Sequence, residues 1–126
     1  MENFDIKQVI CENFRTETEK NGDTASLFLF GHLDLPNPDE FLAPFLRAFH
    51  NKLIDANIKK VILDIKNLTF INSSSVKVFL NWLMHNVKPM EENLRYRVEL
   101  AYNKDSVWQF SAFKPLSIFV SDCFFI

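Results

Sequence analysis

The stretch Val61-Ile62-Leu63-Asp64-Ile65-Lys66-Asn67-Leu68-Thr69-Phe70-Ile71-Asn72-Ser73-Ser74-Ser75-Val76 constrains this chain more than any other. It reads as a buried strand, a short connection, and a serine-rich turn that opens an amphipathic helix. The run Val61-Ile62-Leu63 is short, apolar and rich in β-branched side chains, as in a buried parallel strand. The helix that follows carries Val76, Phe79, Leu80, Leu83, Met84 and Val87 at helical spacing and stops before Pro89. Asn72 is placed to cap it, because its side-chain oxygen can accept an N–H of the first turn. Ser73, Ser74 and Ser75 then fill that turn, where unpaired backbone N–H groups favour an anion. A serine there can itself become the anion by phosphorylation. Ordinary capping and turn chemistry is the competing explanation.

The rest of the chain supplies the other elements of an α/β fold. Residues Ile6 to Phe14 have the mixed pattern of an outer strand, and Thr16 to Thr24 form a polar connection containing Asn21-Gly22-Asp23. Asn-Gly supplies the positive φ values of a hairpin turn. Ala25 to Phe30 is a second strand, apolar on both faces, and so expected in the middle of a covered sheet. Gly31-His32-Leu33-Asp34 ends it. A first helix starts near Asn37-Pro38-Asp39-Glu40, with Asn as cap and Pro in the first turn. Phe41, Leu42, Phe45, Leu46, Phe49 and Leu53 give it one apolar face. Pro44 either kinks this helix or delays its regular part to about Ala43. Lys60 to Ile65 is the next strand. Tyr96, Val98, Leu100 and Tyr102 alternate with charged residues in a strand with one wet face. Lys104 to Phe113 reads as a short helix with Val107, Trp108 and Phe110 inward, and Ser117 to Val120 as a last strand. The expected order is β-β-α-β-α-β-α-β in one domain spanning residues 1–126, a mixed sheet packed with helices.

Composition narrows the function classes. The 126 residues suffice for a single core, and 48% of them are hydrophobic. Fourteen phenylalanines against two glycines rule against a glycine-rich phosphate loop. A formal net charge of −2 without a basic block gives no footing for nucleic acid. No window approaches the ~18 apolar residues of a membrane span, and the N-terminal Met1-Glu2-Asn3-Phe4-Asp5 lacks an apolar signal run. Cys11 and Cys123 lie far apart, which favours a reduced cytoplasmic protein over a disulfide. The end Cys123-Phe124-Phe125-Ile126 fits a prenylation pattern, but packing of an apolar segment on the sheet is the preferred reading.

Catalytic chemistry finds little support. His32, His50 and His85 come from different elements, and no Cys-x-x-Cys or His-x-x-x-His occurs, so neither a metal nor a cofactor is expected. No serine sits in a Gly-x-Ser-x-Gly elbow. Asp64 is expected to hydrogen-bond structurally near its strand end. Val78 and Trp82 lie four apart, roughly opposite the predicted core stripe, with His85 beside them. They form either a partner surface or a face covered by another part of the fold, such as the 104–113 segment.

These residues resemble the STAS domain, the fold of anti-sigma factor antagonists. The family signature is an apolar strand ending in Asp, a Phe-hydrophobic-Asp-Ser-Ser-Gly turn and an aliphatic helix. It is matched here by Val61 to Leu80 with the turn Phe70-Ile71-Asn72-Ser73-Ser74-Ser75. Gly31-His32-Leu33-Asp34 resembles the family's Gly-x-Leu-Asp, and the segments around Trp108-Gln109-Phe110 and Leu116 to Phe119 resemble its late helix and last strand. The resemblance implies a cytoplasmic, non-enzymatic protein that switches partners between a serine kinase/anti-sigma factor and a PP2C-type phosphatase. The serine before the family's Gly, here Ser74, is the implied phosphorylation site. The Asn72-Ser73-Ser74-Ser75 turn is also similar to that of small Asn-Thr-Ser-Ser partner-switch proteins, which implies Ser73 instead. Partner binding is assigned to Asn72, Ser75, Val78, Trp82 and Asp34, with room left for a weak homodimer. The alternative is a STAS-fold scaffold or small-ligand sensor without phosphorylation. Asn72 and Ser75 depart from the family's Asp and Gly.

Overall fold

The computed structural model describes residues 4–126; Met1-Glu2-Asn3, the part of the N-terminus read for a missing signal run, lies outside the described residues. Two strands, β1 (Phe14–Asn21) and β2 (Thr24–Leu33), precede helix α1 (Asp39–Asp55). Strands β3 (Lys60–Asp64) and β4 (Leu68–Ile71) lead into α2 (Ser73–Trp82), which continues as a π-helical turn over Leu83–Val87. Strand β5 (Arg97–Ala101), helix α3 (Val107–Phe119) and the short β6 (Phe124–Phe125) complete the chain. The sheet order is β1-β2-β3-β5-β6, with β4 also paired to β2. Only β1 and β2 are antiparallel; the other pairs are parallel. The mixed α/β sheet agrees with expectation, but β4 is a strand where a bare connection was expected.

The hairpin forms, though one strand later than its polarity suggests. Strand β1 covers the run expected as a polar connection, and residues Ile6 to Phe14 contribute mainly a bridge from Ile10 to Arg15. Phe14, Thr16 and Thr18 alternate inward and are buried. Threonine is β-branched and suits a pleated surface, and its hydroxyls are satisfied here. Thr16 Oγ1 accepts from Val9 N at 3.0 Å and donates to Gln8 Oε1 at 2.8 Å. Gln8 Nε2 donates to Thr18 Oγ1 at 2.7 Å. The turn is Gly22-Asp23, since Asn21 pairs with Thr24. Gly22 alone adopts a positive φ there, 63°, the pattern of a turn with Gly at its first central position.

Strand β2 lies centrally but is covered on one face only. Ala25, Leu27, Leu29 and Leu33 enter the core, while Phe28 and Phe30 stay half-exposed on the outer face. Arg15 lies over the Phe30 ring, 4.1 Å from its centroid, and gives that ring a partial cover.

Helix α1 runs unbroken through Pro44, so its regular part begins at Asp39 and not near Ala43. The cap position is Pro38 rather than Asn37, without a side-chain hydrogen bond; Asn37 contributes its carbonyl to Glu40 N at 3.2 Å. The helix ends in a Schellman arrangement: Asn57 N donates to Ile54 O and Ile58 N to Leu53 O, both at 3.0 Å. Asn57 takes φ 55° at the position where glycine is usual.

Helix α3 is longer and turned differently from expectation. It absorbs Ser117, Ile118 and Phe119, which are not a strand. Gln109, Phe113 and Leu116 face inward, whereas Val107 and Trp108 are exposed and Phe110 is half-buried. The last strand is Phe124–Phe125, parallel to β5. Cys123 beside it is fully buried, and that burial pushes its thiol pKa up, in keeping with an apolar end segment packed on the sheet.

Candidate functional site

The site grows from a break in the sheet. Strands β3 and β4 lie on the same side of β2, one against Thr24 to Phe28 and the other against Gly31 to Leu33. Between them the chain leaves the β2 ladder through Ile65-Lys66-Asn67. Gly31 marks the same point on β2, where the register shifts. It has φ 100°, and a Cβ there would collide with the Asn13 carbonyl. Its N–H reaches Asn67 O at 3.1 Å. On the β3 side, Asp64 accepts from Lys66 N at 3.0 Å and pairs with Lys66 Nζ at 3.5 Å, a structural role as expected.

Gln109 staples the jog from α3. Its Nε2 donates to Ile65 O at 2.8 Å and Leu68 O at 3.0 Å, and its Oε1 accepts from Asn103 N at 2.8 Å. The residue is buried. Local spacing gives no hint of this, because the carbonyls it serves lie more than forty positions away.

Strand β4 delivers Asn72 to the start of α2. Asn72 Oδ1 accepts from Ser75 N at 3.0 Å, which confirms the predicted cap. Its Nδ2 donates to Asp34 Oδ1 and to Leu35 O, each at 3.2 Å. One side chain thus ties the helix start to the loop after β2, and brings Asp34 beside the serine turn. An Asp at this position could cap the helix but could not donate to that loop.

The three serines separate sharply. Ser73 and Ser74 are exposed, while Ser75 is fully buried. Ser75 Oγ has no hydrogen-bond partner among the described residues. Ser75 is therefore removed from the partner-binding set expected from sequence. Ser74 lines a hollow of about 310 Å³ together with Pro36, Pro38, Asp39, Lys77, Val78 and Asn81. Lys77 stands one turn beyond Ser74 and was not singled out by the sequence, although its i, i+3 spacing was available to find it.

Val78 and Trp82 are likewise corrected. Both are buried, so neither belongs to an outer contact face. The cover is α1 and Tyr96 rather than the 104–113 segment: the Trp82 ring lies 6.3 Å from both Phe49 and Tyr96. Trp82 Nε1 donates to Tyr96 OH at 3.2 Å, and Tyr96 OH meets His50 Nδ1 at 2.7 Å. All three groups are satisfied when the hydroxyl donates to a neutral His50. Burial lowers the His50 pKa below its usual 6.5 and raises that of Tyr96. This triad ties α1 and α2 to the residue just ahead of β5.

Among the described residues no cluster of His, Cys, Asp and Glu could hold a metal ion. No helix among them is long and apolar enough to cross a membrane.

No protein-family model matches the chain, and no curated protein matches it in sequence. Solved structures do resemble it. One is an anti-sigma factor antagonist from Mycobacterium paratuberculosis, with a TM-score of 0.58 at 12% identity over 89% of this chain and 85% of that one. Another is the anti-sigma factor antagonist SpoIIAA in its unphosphorylated form, with a TM-score of 0.50 at 22% identity over 80% of this chain and 81% of that one. The chain has the STAS-like fold of these proteins.

Proposed function

We propose that this chain is a phospho-regulated protein-binding domain that acts by partner switching, in the manner of an anti-sigma factor antagonist. The observation that carries the reading is the division of the serine turn. Ser73 and Ser74 are exposed in the first turn of α2, and Ser75 is sealed beneath them. The first-turn N–H groups precede the i→i−4 ladder and face outward with the positive end of the helix dipole. A phosphate there adds about −1.5 to −2 charges at a place where the helix tolerates them. The fold then survives while a partner shaped for a neutral hydroxyl loses its fit. Ser74, and not Ser73, lines the hollow that Lys77 and Asp39 share, which favours Ser74 as acceptor. The partners in this reading are a serine kinase that is also an anti-sigma factor and a PP2C-type phosphatase, all in the cytoplasm. Binding would use Asn72, Ser73, Ser74, Lys77 and the Asp34 loop.

The test is incubation with the kinase-type anti-sigma factor and ATP, followed by fragment mass spectra. One phosphate on Ser74, or on Ser73, is expected. Ser74→Glu should keep the melting temperature within a few degrees and abolish binding to the kinase. Phosphate on neither serine, with binding indifferent to Ser74→Glu, refutes the switch.

A further inference from the structure

The hollow at Ser74 has two walls from different parts of the chain. Ser74, Lys77, Val78 and Asn81 belong to α2, while Pro36, Pro38 and Asp39 belong to the loop after β2 and the start of α1. The hollow therefore exists only while that loop lies against the start of α2. Proline fixes φ at positions 36 and 38 and restricts the residue before each, so the loop moves as a stiff unit. Pro38 is buried at its α1 end, and there Asn37 O and Pro38 O accept from Glu40 N at 3.2 Å and Leu42 N at 2.9 Å. The β2 end is held differently. Leu35 packs only partly against the core, and Pro36 and Asn37 are exposed. Among the described residues, the side-chain hydrogen bonds that reach residues 34–38 are the two from Asn72 Nδ2, to Asp34 Oδ1 and Leu35 O, each at 3.2 Å.

We infer that Asn72 is a latch and a positioning residue: it holds loop 34–38 docked on the start of α2, so that a protein partner meets a preformed, two-walled hollow around Ser74. The partner's part of this rests on the partner-switch reading, and the latch rests on the hydrogen bonds alone. The chemistry calls for an amide at position 72. Its Oδ1 is occupied as the helix cap by Ser75 N at 3.0 Å, which leaves Nδ2 as the side chain's donor to the loop. A carboxylate there would cap the helix as well. It would have no donor for Leu35 O or Asp34, and it would set a second negative charge against the Asp34 carboxylate across a contact that is now 3.2 Å. Cap and latch are thus separable by one substitution. A loop docked for only a fraction of the time lowers a partner's apparent affinity by that fraction, because binding must first bring the two walls together.

Two readouts test this on the full chain, each taken on the wild type, Asn72→Asp, Asp34→Asn and the double variant. The first is the backbone 15N order parameter at Leu35 and Asn37, measured without any partner. Asn72→Asp should keep the urea midpoint near that of the wild type, since the cap is retained, while the order parameters fall from about 0.85 to below about 0.6. Asp34→Asn keeps an acceptor for Nδ2 and should leave them high. In the double variant the new amide at position 34 donates to the new carboxylate at position 72, and the order parameters should rise again. The second readout is affinity for the kinase-type anti-sigma factor. Asn72→Asp should weaken it about tenfold. The double variant should bind about as well as Asp34→Asn alone, the reference that cancels any loss of the Asp34 charge. Unchanged order parameters in Asn72→Asp overturn the latch, and so does mobility that the double variant fails to reverse. A partner that binds Asn72→Asp as tightly as the wild type overturns the positioning role. A wild type that binds no such partner overturns the switch reading and the partner's part with it, while the order parameters still decide the latch.

Discussion

Replacing Gln109 by methionine asks whether one buried amide holds the sheet break that carries the serine turn. Methionine keeps nearly the same length and volume and removes every polar contact. Three hydrogen bonds disappear, to Ile65 O, Leu68 O and from Asn103 N. At about 1 kcal/mol net per bond the loss is about 3 kcal/mol. Ile65 O keeps a second partner in Leu68 N at 3.0 Å, so it is not orphaned. Asn103 is exposed, so its N–H turns to water and adds no further penalty. Burial of the more apolar methionine returns about 1 kcal/mol. The expected net cost is therefore about 2 kcal/mol, a sizeable share of the ~5–15 kcal/mol that stabilises a typical domain. With a urea slope of about 2 kcal/mol/M, the midpoint should fall by about 1 M. Gln109→Glu sharpens the test, since its carboxylate still accepts from Asn103 N but faces two carbonyl oxygens. It should be worse than methionine at neutral pH and recover as acid protonates the carboxylate and restores one donor. A methionine variant that loses less than about 1 kcal/mol would show that the staple contributes little and that packing alone holds the break.

The serine turn and the buried triad supply further tests. Asn72→Ala should cost about 1–2 kcal/mol through the lost cap and speed amide exchange in residues 34–38, whereas Ser75→Ala, which removes an unpartnered buried hydroxyl, should be neutral or stabilising by up to about 1 kcal/mol in chemical denaturation. Because the folded pKa of His50 is lowered below 6.5, the unfolded chain binds more protons just below that value. Stability should be complete above pH 6.5 and fall as pH drops toward the folded pKa, and His50→Gln should flatten this slope in melting curves taken across pH.

The parts of the fold legible in the sequence are those whose signals are local. The Val61-Ile62-Leu63 run, the Asn72 cap and the helical spacing from Phe41 to Leu53 all appear as elements where expected. Strand β1 was masked because Thr16 and Thr18 look solvent-facing until Gln8 and Val9 supply partners for Thr16. Strand β4 was masked for a related reason. Its burial runs buried, exposed, exposed, buried, which offers no period, and its pairing is set by the register shift on β2 at Gly31. In α3 the exposed row is as apolar as the buried one, so hydrophobicity could not tell inside from outside.

The candidate site was legible in position but not in orientation, and a rotation of α2 explains the difference. The apolar stripe expected from spacing runs through Val76, Phe79, Leu80, Leu83, Met84 and Val87, of which Phe79, Leu83 and Val87 are buried. The buried arc instead runs through Ser75, Val78, Phe79, Trp82 and Leu83, about a quarter turn away at ~100° per residue. Two contacts outside the helix drive this. Trp82 finds a polar partner in Tyr96 and an aromatic one in Phe49; the buried indole N–H needs the first, and the second adds favourable ring packing. The rotation would swing Val87 out of the core if the helix stayed regular. The π turn prevents that: Lys88 N bonds Leu83 O at 2.8 Å, five residues back, and the wider turn lets Val87 lag into the buried arc. The same rotation carries Ser75 inward with an unpartnered hydroxyl and leaves Ser73 and Ser74 outside. The turn's division into two accessible serines and one sealed one is thus a consequence of where Trp82 goes. Trp82→Leu, which relaxes that demand, should therefore alter the exposure of the serine turn more than any change within the turn itself, read as faster amide exchange at residues 73–76.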